Sequence, residues 1–108
     1  MRIKIKPLSV NAAWKGKRYR SDDYKKYAKI LGFMLPKLKI PKGKIRVDFI
    51  FGFSSKGSDW DNPVKPLQDI LAKKYSFNDN RIYQATVKKV IVKKGEEFID
   101  FKIIKYEG

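Results

Sequence analysis

Two aspartates, Asp59 and Asp61, stand two residues apart, with Asn62 directly after them. In extended backbone this spacing puts both carboxylates on one side of the chain and Trp60 on the other. Asp79 is a third acid, in a turn that opens a later β segment. The chain carries only 11 Asp and Glu against 26 Lys and Arg, so acids grouped in this way are informative. Three carboxylates with open positions suit Mg²⁺, which takes few protein ligands and keeps waters and substrate phosphate oxygens. One or two such ions can activate water and offset the charge of an in-line phosphodiester displacement. Lys65 lies one turn into a predicted helix, where it could contact the scissile phosphate or stabilise developing negative charge. A plainer reading stays open: Asp59 or Asp61 can be helix-capping acids. Lys65 also stands four residues from both Asp61 and Asp69, the spacing of a helix-surface ion pair.

The missing residue types narrow the chemistry further. There is no histidine and no cysteine. A His general base, a Ser-His-Asp triad, an HExxH site, thiolate zinc and disulfides are all excluded. Catalysis must rest on carboxylates, lysines, hydroxyls or an oxygen-ligated metal. The formal net charge of +15 on 108 residues points to a polyanionic partner, because like charges on one chain repel unless something is gained. Nucleic acid fits better than an anionic membrane, since the basic residues are spread along the chain rather than clustered. No apolar run approaches the roughly 18 residues of a spanning helix. The alternating start, Met1 to Lys6, lacks the apolar block of an export signal, so a cytoplasmic location is expected. A charge serving solubility alone is the bland alternative.

Between residues 8 and 20 no period is visible, and the segment reads as a basic loop. Lys15, Lys17, Arg18 and Arg20 are expected to touch phosphates, with Trp14 and Tyr19 stacking on exposed bases. Trp14 reads equally well as a core plug.

The elements that must position these residues fit one domain over 1–108. Ile3 and Ile5 alternate with basic residues until Pro7, a short strand. Ser21 reads as an N-cap, with Asp22 and Asp23 in the first helical turn. Tyr24, Tyr27, Ile30, Leu31 and Met34 or Leu35 follow the helical period up to Pro36. Ile45, Val47, Phe49, Phe51 and Phe53 alternate without a break, the clearest strand in the chain. Asn62 as cap and Pro63 as first residue open a second helix with Val64, Leu67, Ile70 and Leu71 inward, Tyr75 also reading as a candidate for that face. Pro66 conflicts with that helix unless its first turn is irregular. Residues 81–93 are β-rich, with a bulge expected where Lys88-Lys89-Val90-Ile91 breaks the alternation. A hairpin turn at 93–96 leads to the last strand. The fold class is α+β: β-α-β-α-β-β, a mixed four-stranded sheet packed with two helices. Asp48 reads as a structural charge, and Glu96, Glu97 and Asp100 as hairpin charges facing Lys93 and Lys94.

The run Asp59-Trp60-Asp61-Asn62-Pro63-Val64-Lys65, then Leu67, Asp69 and Leu71, then Phe77-Asn78-Asp79-Asn80, resembles the RusA family of Holliday junction resolvases. The likeness covers most of the chain in element order, and its specific part is 59–80. Pro7, Ser9, Asn11, Arg18 and Arg20 resemble the family's basic loop more loosely. The resemblance implies a homodimeric endodeoxyribonuclease that binds four-way DNA junctions. It would nick two symmetrically related strands with water and Mg²⁺, for which Mn²⁺ substitutes. It implies Asp59, Asp61 and Asp79 as metal ligands and Lys65 as the catalytic or DNA-contacting lysine. Ser9, Asn11, Lys15, Lys17, Arg18, Arg20, Lys56 and Asn62 would face the DNA. A phage or prophage source is implied as well.

Two departures stand out. Asp79 is a lone acid after Asn78, where the family often has two. The stretch before Asp59 is Ser54-Ser55-Lys56-Gly57-Ser58, with a single charge where an arginine-rich segment can occur. In a plain parallel crossover Asp79 and Asp59 would lie at opposite ends of the sheet. The expectation is therefore an antiparallel placement of 45–53 and 81–93, or else a site shared across a dimer. Ile50 and Phe53 are candidate interface residues. The alternative from another class is a non-catalytic nucleic-acid-binding module of phage or mobile-element origin, its acids being caps and ion pairs.

Overall fold

The structure, a computed structural model, describes residues 1–15 and 19–108, with the backbone alone described at 14, 15, 19 and 20. In chain order the elements are β1 (Arg2–Ile3), α1 (Val10–Ala13), β2 (Trp14–Lys15), β3 (Tyr19–Arg20), α2 (Asp22–Met34), β4 (Ile45–Phe53), α3 (Val64–Lys74), a 3₁₀ turn (Asp79–Arg81), β5 (Ile82–Ile91) and β6 (Phe98–Lys105). It is an α+β domain. The main sheet is mixed and four-stranded, in the order β1-β6-β4-β5. Residues 8–20, expected to be irregular, hold instead the short α1 and the two-stranded β2–β3 pair.

The core follows the alternation of β4. Ile45, Val47, Phe49, Phe51 and Phe53 point to one face of the sheet and are buried with Ile99 and Phe101 of β6. Leu31 of α2 and Leu67, Ile70 and Leu71 of α3 belong to the same cluster. Phe53 is thus a core residue, which removes it as an interface candidate, and Ile50 on the opposite face is half-buried.

β4 and β5 are parallel, with Val47 opposite Ala85 and Phe53 opposite Ile91. The antiparallel expectation is corrected here. The reason is α3: its 11 residues span roughly 16 Å and return the chain to the end where β4 began. There Arg81 fixes the start of β5 by donating to the carbonyls of Gly43 and Pro41. β5 and β6 do not form a hairpin with each other either. The turn at 93–96 is present, with Gly95 at φ +94° and Glu96 N–H donating to Lys93 C=O. It carries the chain over the end of β4, so that β6 pairs antiparallel with β4 on its far side. The register of β5 is regular from Gln84 to Ile91, so no bulge sits at Lys88–Ile91; the one irregularity lies opposite Ile45/Arg46.

Local chemistry sets the element ends. Ser21 caps α2 by accepting from Tyr24 N–H at 3.1 Å, and Leu35 N–H closes the other end on Leu31. α3 has no side-chain cap; Pro63, not Asn62, is its flanking residue. Pro66 falls at the third helical position, where its missing N–H is one the helix leaves unpaired anyway. That removes the conflict, and its ring is buried. Tyr75 ends α3 half-exposed, its hydroxyl donating to Pro36 C=O at 2.7 Å. After it, Ser76 adopts φ +54° and Phe77 N–H donates to Ala72 C=O, a left-handed helix stop with a serine where glycine is usual.

On the helix-free face of the sheet, Phe98 lies over Gly52, where a Cβ would meet its ring carbons at 2.4 Å. Arg2 covers that ring at 3.9 Å. Asp100, expected to balance Lys93 and Lys94, instead pairs with the N-terminal ammonium and Arg2. No helix among the described residues is long and apolar enough to cross a membrane.

Candidate functional site

β4 ends at Phe53, and the chain then makes a Ser/Gly-rich turn before α3. Within it Ser55 accepts from Gly57 N–H through its hydroxyl, at 3.2 Å, and from Ser58 N–H through its carbonyl, at 3.3 Å. Asp59, Trp60 and Asp61 follow and are all exposed. Asn62, read from the sequence as a helix cap, turns back to donate to Asp59 at 3.3 Å. Its carbonyl accepts from Val10 N–H at 2.8 Å, which ties the N-terminal segment to the acid-bearing turn. Ser9 caps α1 by accepting from Asn11 N–H at 3.2 Å. It thereby lines, with Lys6, Ser54, Ser58, Asp59, Asn62 and Glu97, a cleft of about 310 Å³ at the end of β4.

Lys65 projects from the first turn of α3. Its ammonium lies 3.0 Å from Asp69 and 3.4 Å from Asp79. Gln68 also donates to Asp79, at 3.4 Å. Donation to Asp69 above all holds the Lys65 ammonium above the usual lysine range; burial works against it, and donation to Asp79 adds to the rise. Asp79 is itself positioned: it sits in the 3₁₀ turn that Asn78 caps by accepting from Asn80 N–H at 3.0 Å. The Arg81 anchor to the 41–43 loop fixes the far side of that turn.

The parallel strands therefore do not leave Asp79 isolated. It is gathered onto the flank of α3, and what reaches it is the long arm of Lys65 rather than the Asp59/Asp61 pair. Of the two helix-surface partners that spacing offered Lys65, Asp69 is taken and Asp61 is not. Among the described residues no three acidic side chains converge into a metal-binding group. By donor type, Asp59, Asp61 and Asp79 suit a hard cation such as Mg²⁺, since all are carboxylate oxygens. By placement they form two sets, one before α3 and one on its flank, with the Lys65 ammonium against the second.

Of the residues expected on DNA, Ser9 and Asn62 line the cleft, while Asn11 and Lys56 are exposed beside it. Lys17 and Arg18 lie outside the described residues. Lys15 and Arg20 are described only as backbone, Lys15 opposite Tyr19 and Arg20 opposite Trp14. Sequence reasoning missed three residues. Gln68 is the second donor to Asp79. Glu97 faces the cleft because its turn crosses over β4. Lys89 of β5 donates to carbonyls of the turn before Asp59. For Lys89 a signal existed: it is the residue that breaks the alternation of β5. No family model and no curated protein matches this chain.

Proposed function

We propose that this chain is a structure-specific endodeoxyribonuclease that resolves four-way DNA junctions by phosphodiester hydrolysis, as the resemblance to RusA resolvases implies. The observation that carries the reading is the contact of Lys65 with Asp79. It joins the two separated parts of the RusA-like motif, the segment opening α3 and the later turn acid, on one helix flank. Lys65 is the group to meet the scissile phosphate and the charge that builds on it. Asn62 and Ser9 border the cleft beside Asp59 and would position a strand there. Asp59, Asp61 and Asp79 would hold Mg²⁺, with Mn²⁺ as substitute; when bound, the ion supplies water activation and charge neutralisation in a chain without histidine. The partner is branched DNA, and a homodimer follows from substrate logic, because paired cuts on a two-fold junction need two matching sites. A cytoplasmic location belongs to the same reading.

One observation favours a second reading, a non-catalytic nucleic-acid-binding module: the acids do not converge among the described residues. Asp61→Asn separates the two. The nuclease reading expects cleavage of a synthetic junction to be lost while binding is kept or tightened, since a charge that repels phosphate is removed. Unchanged cleavage by the variant contradicts it, and absence of cleavage by the native chain with Mg²⁺ or Mn²⁺ favours the second reading.

A further inference from the structure

Lys89 stands on the helix-side face of β5, in register with Phe51 and between Val87 and Ile91, where alternation calls for an apolar residue. It is half-buried. A cation in such a place is costly unless its donors are used. Here its Nζ donates to Lys56 C=O at 2.7 Å and to Ser58 C=O. The ring of Phe53 lies beneath it, 6.0 Å to the centroid. The two carbonyls flank Gly57 and lie directly before Asp59. Among the turn's own small residues, Ser55 accepts from Gly57 and Ser58 at 3.2 and 3.3 Å. Lys89 thus links β5 to the part of the turn directly before Asp59, across more than thirty residues of sequence, while the tie from Val10 N–H to Asn62 C=O lies after Asp61. No carboxylate is among these partners.

We propose that Lys89 is the positioning residue of the acid-bearing turn: by fastening the Lys56 and Ser58 carbonyls to β5, it sets where Asp59 and Asp61 are presented. It acts through the backbone and not by touching DNA. Its neighbour Lys88 is the natural contrast, opposite Ile50 on the other face of the sheet and exposed. The effect on cleavage rests on the endonuclease reading; the effect on the turn does not.

The test compares Lys89→Met, Lys89→Arg and Lys88→Met by hydrogen exchange over residues 54–61, and by junction binding against cleavage rate at saturation. Lys89→Met is expected to speed exchange of the turn about tenfold while β4 and β6 keep their protection. The cleavage rate should fall about tenfold or more with affinity changed less than about twofold. Lys89→Arg, which can donate to both carbonyls, should restore slow exchange. Lys88→Met should leave exchange and rate alone and weaken binding only. Should Lys89→Met not fold, Lys89→Gln takes its place with the same expectation. Unaltered exchange in Lys89→Met or Lys89→Gln, or a loss of affinity like that of Lys88→Met with the rate intact, overturns the proposal. If the native chain cuts no junction, the endonuclease reading falls, while the exchange result still decides the role of Lys89.

Discussion

Lys65 spends its charge on two carboxylates although more than half of its side chain is exposed, at 55 %. Exposed pairs of this kind contribute little to stability, about 0–1 kcal/mol. Their placement is better explained by where they hold the ammonium. Lys65→Met is therefore expected to lower junction cleavage about a hundredfold while shifting the unfolding free energy by less than about 1 kcal/mol. Single-turnover kinetics and urea titration check the two halves. Asp48 behaves differently. Burial raises its pKa, but the Thr86 hydroxyl and the Arg46 guanidinium outweigh that and hold the carboxyl below its ordinary 3.8. A carboxylate depressed in the folded state stabilises at neutral pH and loses that contribution as pH falls through the folded value. Between pH 5 and acid the native protein should thus lose more stability than Asp48→Asn, by urea midpoints across that range. At this scale spacing alone sufficed for the pairing of Lys65 with Asp69 four residues on. Asp79 stood out as an acid, but its meeting with Lys65 and Gln68 depends on how α3 packs; Lys89 stood out as a break in alternation, but its partners lie in a turn distant in sequence.

Among the elements, β4 was legible in full, because nine alternating residues leave no other assignment. The direction of β5 was not, since strand periodicity carries no sign; α3 decides it by returning the chain to the start of β4. The crossing of the 93–96 turn over β4 was hidden for the same reason, as a hairpin signal describes a turn and not the strand beyond it. Substitutions at Gly52, Phe98 and Ser76 test the element ends. Gly52→Ala would drive a Cβ into the Phe98 ring and is expected to cost about 1–3 kcal/mol. Adding Phe98→Leu should recover part of that loss, a coupling that a double-mutant cycle in denaturant measures. Ser76→Gly relieves a left-handed backbone on a residue with a Cβ and is expected to stabilise by about 0.5–1 kcal/mol, seen as a raised melting temperature.

At the scale of the molecule, +15 on 108 residues is a field as much as a set of contacts. If six or so phosphates are neutralised, junction affinity should fall by about a thousandfold between 50 and 200 mM salt. A salt-insensitive affinity would show that the charge serves solubility rather than DNA. In the proposed function, the α3 flank, with Lys65 set against Asp79, cuts branched DNA together with the turn that carries Asp59 and Asp61. This is tested most directly by incubating the purified chain with a labelled four-way junction in Mg²⁺ and mapping the products. Two symmetric nicks in opposing strands are expected, absent with chelator and absent on linear duplex of the same sequence. Uncut junctions in Mg²⁺ and in Mn²⁺, or equal cutting of linear duplex, would contradict it.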